Sequence, residues 1–328
     1  MRVLVAVGFS ALVTAVVAAQ GQYVQVADVA IGGPLPAQWD YLTPDPAGKR
    51  LYVSHNAEVV VIDTATDRVV GRIADTPGVH GIAIGAGHVF TSNGREGKVS
   101  MVDPKTLSTL SKIDSGGANP DAITFDAKTG AVWVFNHTGM SATQIDAASG
   151  KVLATIPLTG TAESGQSDGA GHVFVNIEDK DQIDVIDVAG KKVTASWPVA
   201  PGASPTGMAL DNATHRLFVG AGRVMVMMDA ASGKVVASVP LCAGTDATWY
   251  DAANKLAMSS CRDGKITVAR VDGDKMTVVQ TIDTANGSRT MGLDTATHKL
   301  YVAAAKPNAS GGRGYDPESF HVLVYAMK

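Results

Sequence analysis

Apolar and polar positions alternate in short runs along most of this chain. The stretch LYVSHNAEVVVID, Leu51 to Asp63, holds two such runs around a polar turn, and a period of two marks half-buried strands. After residue 20 no segment sustains a 3.6-residue apolar period. Related runs recur as KRLYVS (49 to 54), GHVFTS (87 to 92), GAVWVF (130 to 135), GHVFVN (171 to 176), HRLFVG (215 to 220), NKLAMS (254 to 259) and HKLYVA (298 to 303). Aligned on Leu51, Val89, Val132, Val173, Leu217, Leu256 and Leu300, the copies step by 38, 43, 41, 44, 39 and 44 residues. Each continues into a strand ending in or near aspartate, such as Val61-Ile62-Asp63 or Met227-Met228-Asp229, then a turn and a fourth strand.

Four strands in about 40 to 45 residues are the size of a propeller blade, and one such small sheet cannot bury both faces alone. The pattern therefore predicts an all-β, seven-bladed β-propeller with four-stranded antiparallel blades, forming a single domain over residues 20–328. The seventh copy reaches Lys328 without a fourth strand, whereas Gln22 to Ile31 alternates as a strand before the first copy. That N-terminal strand is expected to complete the last blade and close the ring.

Composition narrows the classes of partner. A net charge of -4 and a pI near 6.0, with no run of Lys and Arg, provide no footprint for nucleic acid. Residues 1–19 pair Arg2 with the apolar run Val3 to Val17, and Val17 and Ala19 supply small residues before a cleavage point. This reads as a signal peptide, because the run is shorter than the roughly 20 residues of a spanning helix. The expected mature protein is periplasmic or secreted, has no membrane span and is a monomer. Cys242 and Cys261 flank the sixth inner hairpin, where antiparallel pairing brings them near each other, and a disulfide is expected.

LYVSHN with VVVIDTATDRVVGRI, and Ser204-Pro205-Thr206-Gly207-Met208-Ala209, resemble the YVTN-type repeats of seven-bladed propellers related to exported YncE-like proteins. The resemblance spans nearly the whole mature chain. It implies fold strongly and function weakly, since such scaffolds include binding proteins, surface-layer components and lactonase-like enzymes.

Strand parity sorts the candidate chemistry. Loops leading into the innermost strand and loops joining the second strand to the third emerge on one face, the channel mouth. His88, His172, His215 and His298 recur at the opposite hairpins and read as turn or packing residues, as does His321. His55, His80 and His137 belong to the mouth. A polar ring is expected there from Asp40, His80, Asp121, Ser164, Thr206, Asp246 and Arg289, backed by Asn93, Arg95, Asn136, Glu163, Asn176, Glu178, Arg223 and Arg262. A water-filled channel tolerates such residues without function, and converging polar groups also suit a ligand.

Three readings follow. One is a binding protein taking a small anionic or metal-containing ligand, or a protein partner, at the mouth through Asp40, His55, Asn93, Arg95, Asp121, Asn136, His137, Glu163, Arg223, Asp246 and Arg262. His55, His80 and His137 are its candidate ligands for a divalent metal, since imidazole and carboxylate together suit such ions. Another is a lactonase-like hydrolase or lyase with His80 as acid or base and Arg289 holding an anionic substrate. The third is a structural cell-surface role. The long segment Lys306 to Ser319 has two readings, a cover folded over the mouth with Arg313 and Tyr315 or a mobile, disordered excursion.

Overall fold

The computed structural model describes residues 21–308 and 314–328; the expected signal peptide and Arg313 lie outside the described residues. Seven sheets of four antiparallel strands surround a channel. Blade 1 consists of Leu42–Asp45, Arg50–His55, Glu58–Asp63 and Arg68–Ile73, which we call strands A to D from the channel outward. Blades 2 to 6 repeat this order. Among the described residues, helix is confined to the short turns Glu178–Lys180 and Pro317–Ser319, and no helix is long and apolar enough to cross a membrane.

Blade 7 takes strands A to C from Met291–Leu293, Leu300–Ala304 and His321–Met327, and its outer strand from Tyr23–Ala30. The ring is thus closed by the N-terminal strand. Tyr23 is buried in the cluster between blades 6 and 7, and the Gln280 amide brackets its backbone, donating to Tyr23 O at 2.8 Å and accepting from Tyr23 N at 2.9 Å.

Strands B and C are buried along nearly their whole length, as in Arg50–His55 and Glu58–Asp63, because each blade is sandwiched between two others, and exposure alternates only on the outer strand D. Seven core clusters lie one at each interface between neighbours, such as Tyr52, Val61 and Ile73 of blade 1 against Val79, Ile82 and Val89 of blade 2. The recurrent aspartate at the end of strand C shapes the turn into strand D. Asp63 Oδ1 accepts from the backbone N of Ala65 and Thr66 and from the Thr66 hydroxyl, at 2.8–3.0 Å; these bonds, the hydroxyl foremost, hold its carboxyl below the ordinary range.

The repeat alignment needs one correction. Leu256 pairs with Asp251 as Arg50 pairs with Asp45, so Ala257 rather than Leu256 is the counterpart of Leu51. Lys255 adopts the positive φ of the hairpin turn, 54°, as Lys49 does at 51°. An apolar leucine at a normally polar position misplaced the sixth copy by one. In the corrected register Cys261 ends strand B at the slot of His55, Asn93 and Asn136. It is bonded to Cys242 with Cα atoms 5.8 Å apart.

Candidate functional site

Strand A is irregular where it leaves the mouth. In blades 2 to 6, one pair joins its start to the end of strand B, as in Val79 with Asn93 and Pro120 with Asn136. The ladder then skips two residues before resuming, as in Ile82 with Thr91 and Ile123 with Val134. The first skipped residue is the ring member: His80, Asp121, Glu163, Thr206 and Asp246. Blade 4 therefore contributes Glu163 rather than the expected Ser164. Ser164 is the second skipped residue, buried with its hydroxyl donating to Thr206 O.

In blades 2 to 7 that second position is small, because adjacent A strands crowd together there. A Cβ on Gly81 would lie 2.8 Å from Asp121 O. The equivalents are Ala122, Ser164, Gly207, Ala247 and Thr290, but blade 1 places Tyr41 there, next to Asp40. The Tyr41 ring crosses the channel to pack against the cluster between blades 3 and 4. Burial, followed by the nearby Asp121 and Glu163, pushes its hydroxyl pKa well up. Sequence reasoning missed this plug, whose signal is one bulky residue in an otherwise small slot.

The mouth is divided in charge. On one side His80 Nδ1 lies 2.7 Å from Asp40 Oδ2 and 3.7 Å from Asp121 Oδ1. His137 Nδ1 donates to Ala162 O at 2.9 Å and lies 3.1 Å from Glu163 Oε2 and 3.9 Å from Asp121 Oδ2. Burial, with Asp40 and Glu163 adding repulsion, pushes Asp121 well above the carboxylate range. The Glu163 hydrogen bond leads in raising His137 to about 9. Across the mouth, Arg289 donates to Trp39 O at 2.9 Å and faces Asp246 Oδ2 from 3.4 Å. Burial and then Asp40 raise Asp246 to about 7.

A cavity of about 720 Å³ opens here, its wall including Trp39, His80, Arg95, Arg262, Arg289 and Tyr315. Arg95 is held by Asn56 Oδ1 at 3.2 Å and Gln38 Oε1 at 2.9 Å. Arg262 is exposed, and its guanidinium makes no hydrogen bond among the described residues. Tyr315, 4.8 Å from the Trp39 ring, lies on the cavity wall with Gly314, so the described end of the 306–319 segment reaches the mouth. Below Tyr41 a second space of about 470 Å³ has largely apolar walls, including Ile84, Phe125, Met208 and Trp249.

Several candidates fall outside this constellation. His55 is 1% exposed, stacked on Phe320 and paired through Nδ1 with Glu58 at 3.0 Å. Burial lowers its pKa, and it joins neither His80 nor His137, so the three histidines do not form one set. Asn93 and Asn136 are fully buried. Asn93 donates to Glu96 and Ser100, and Asn136 to Ser115 O and Ser141, which makes them fasteners of the loops. Asn176 likewise donates to Thr206 O at 2.9 Å. Arg223 is exposed and forms no part of the cavity wall.

No protein-family profile and no curated sequence matches the chain. Solved structures do. The WD40 repeats of RRP9 superpose with a TM-score of 0.80 over 93% of this chain and 98% of theirs, at 9% identity. The U3-55K structure gives 0.79 over 92% and 98% at 8% identity. A chain of Kuenenia stuttgartiensis hydrazine synthase gives 0.74 over 89% and 96% at 16% identity. At these identities the likeness is one of fold.

Proposed function

We propose that the chain is an exported, YncE-like propeller that binds a small anionic ligand in its mouth cavity. The observation that carries this is the exposed guanidinium of Arg262, which makes no hydrogen bond among the described residues, on the wall of a cavity of about 720 Å³, with Arg95 and Arg289 on the same wall. Guanidinium groups grip carboxylates and phosphates through paired hydrogen bonds, and a concave, partly apolar wall excludes competing water. Trp39 and Tyr315 supply flat apolar surfaces beside them. Calorimetric titration with citrate, oxalate and inorganic phosphate tests the reading on EDTA-treated protein. At least one should bind, and Arg262→Ala should weaken it at least tenfold, as expected for losing a charge-assisted hydrogen bond of about 1.5–3 kcal/mol. Binding that is absent for all three anions, or indifferent to Arg262→Ala, defeats the proposal.

One observation favours a second reading. His80, paired with Asp40 at 2.7 Å, lines the same cavity, and a histidine oriented by a carboxylate can move a proton. A hydrolase or lyase acting on lactones is consistent with that pair, and turnover abolished in His80→Ala would support it. Silence in both assays leaves the structural cell-surface role.

A further inference from the structure

We propose that the acidic side of the mouth is a two-cation site in which the carboxylate of Asp121 bridges a pair of divalent metal ions. Two trios of donor atoms share this residue: Asp40, His80 and Asp121, and Asp121, His137 and Glu163. Within each trio the donor atoms lie within 4.8 Å of one another, so a point exists no more than about 2.8 Å (4.8 Å divided by √3) from all three. Only a small contraction separates that from the roughly 2.0–2.2 Å bonds of zinc to nitrogen and oxygen.

The two oxygens of Asp121 face opposite ways. Oδ1 lies 3.7 Å from His80 Nδ1, and Oδ2 lies 3.9 Å from His137 Nδ1. A carboxylate presenting one oxygen to each centre is how a bridging ligand spans ions about 3.5–4 Å apart. Asp121 also needs a partner. Its side chain is 10% exposed, yet among the described residues its carboxylate accepts no hydrogen bond. A nearly buried carboxylate with no donor is costly as an anion, so the group holds a proton or sits beside a cation, and metal ions would fill the second role.

The five donors come from four blades. His80, Asp121 and Glu163 project from the irregular starts of strand A in blades 2, 3 and 4, Asp40 precedes strand A of blade 1, and His137 follows strand B of blade 3. Packed β scaffold therefore fixes their spacing. Imidazole with carboxylate and no thiolate suits zinc or manganese over copper(I), and two imidazoles argue against calcium. On loading, His80 exchanges its hydrogen bond with Asp40 for a metal bond, and any proton on Nδ1 leaves to solvent. The second ion likewise displaces the contact between His137 and Ala162 O. Three carboxylates facing two dications leave one positive charge, directed toward the same cavity as the arginines.

This inference does not rest on the anion reading, because it is tested with metal alone. Full-length protein is stripped with EDTA, then equilibrated with Zn²⁺ or Mn²⁺ in buffer free of carboxylate and phosphate. Ions per chain are counted by mass spectrometry and affinities by calorimetry. Wild type should hold two ions. His80→Ala and His137→Ala should each hold one, and Asp121→Asn should weaken both at least 100-fold. Manganese-loaded wild type should show an exchange-coupled electron spin resonance spectrum that neither histidine variant shows. One ion or none in wild type, or two retained in both histidine variants, overturns the proposal. Should Asp121→Asn fail to fold, as judged by circular dichroism, the histidine variants and the manganese spectrum decide alone.

Discussion

Asp246 should make the fold less stable as pH rises, and Asp246→Asn should remove that dependence. Its side chain is 10% exposed, Oδ2 is buried without a hydrogen bond, and its nearest cation is Arg289 Nε at 3.4 Å. Burial and Asp40 raise its pKa from 3.8 to about 7, with Glu163 adding to the rise and Arg289 and Arg262 opposing it. A carboxyl whose folded pKa is raised contributes stability that is complete below pH 3.8 and lost as pH climbs through about 7. At roughly 1.4 kcal/mol per pH unit, that interval corresponds to at most about 4 kcal/mol. Asparagine cannot ionise, so the variant should match wild type near pH 4 and exceed it by about 2 to 4 kcal/mol at pH 8, the lower figure allowing for Arg289 losing its partner. Urea unfolding at pH 4, 6 and 8, at constant ionic strength and with EDTA present, measures this. Equal pH slopes in the two proteins, or a variant weaker at pH 8, would falsify the reasoning.

The ring closure and the disulfide give two further expectations. Gln280→Ala removes both hydrogen bonds to the Tyr23 backbone and should cost about 2 kcal/mol in calorimetric unfolding, at about 1 kcal/mol per bond; an unchanged transition counts against the bracket. Unreduced protein titrated under denaturing conditions should expose no thiol. Reduction of Cys242–Cys261, which closes a span of 19 residues, should cost about 3 kcal/mol, and two thiols before reduction would contradict the bond.

The architecture was legible because a repeat near 40 residues leaves few alternatives, and the strand missing from its seventh copy already pointed to Gln22 to Ile31. Single positions were less secure. Alternation fixes register only where one face is exposed; Leu256–Cys261 is buried throughout and Ala162–Ser167 starts irregularly, and there a slip of one residue substituted Leu256 for Ala257 and Ser164 for Glu163. Parity assigned His55 to the correct face, but strand B of blade 1 turns its ring inward onto Phe320. Asp40, His80 and Asp121 were readable as ring members because they begin inner strands, whereas the two-sided placement of Asp121 depends on three blades converging. Tyr41 was hidden until the small position beside the ring had been correctly aligned.

The outer strand of blade 7 also determines how the molecule answers to mechanical load. Gln22 and Lys328 exchange backbone hydrogen bonds at 3.0 Å in both directions, and the antiparallel ladder runs from there to Ala30 and His321. Tension drawing residue 22 away from residue 328 therefore falls on one rung at a time, opening the ladder like a zipper. A grip on residue 31 and residue 328 would instead load many rungs together in shear. The same ring, with the same bonds, is weak when pulled from one end of this ladder and strong when pulled from both.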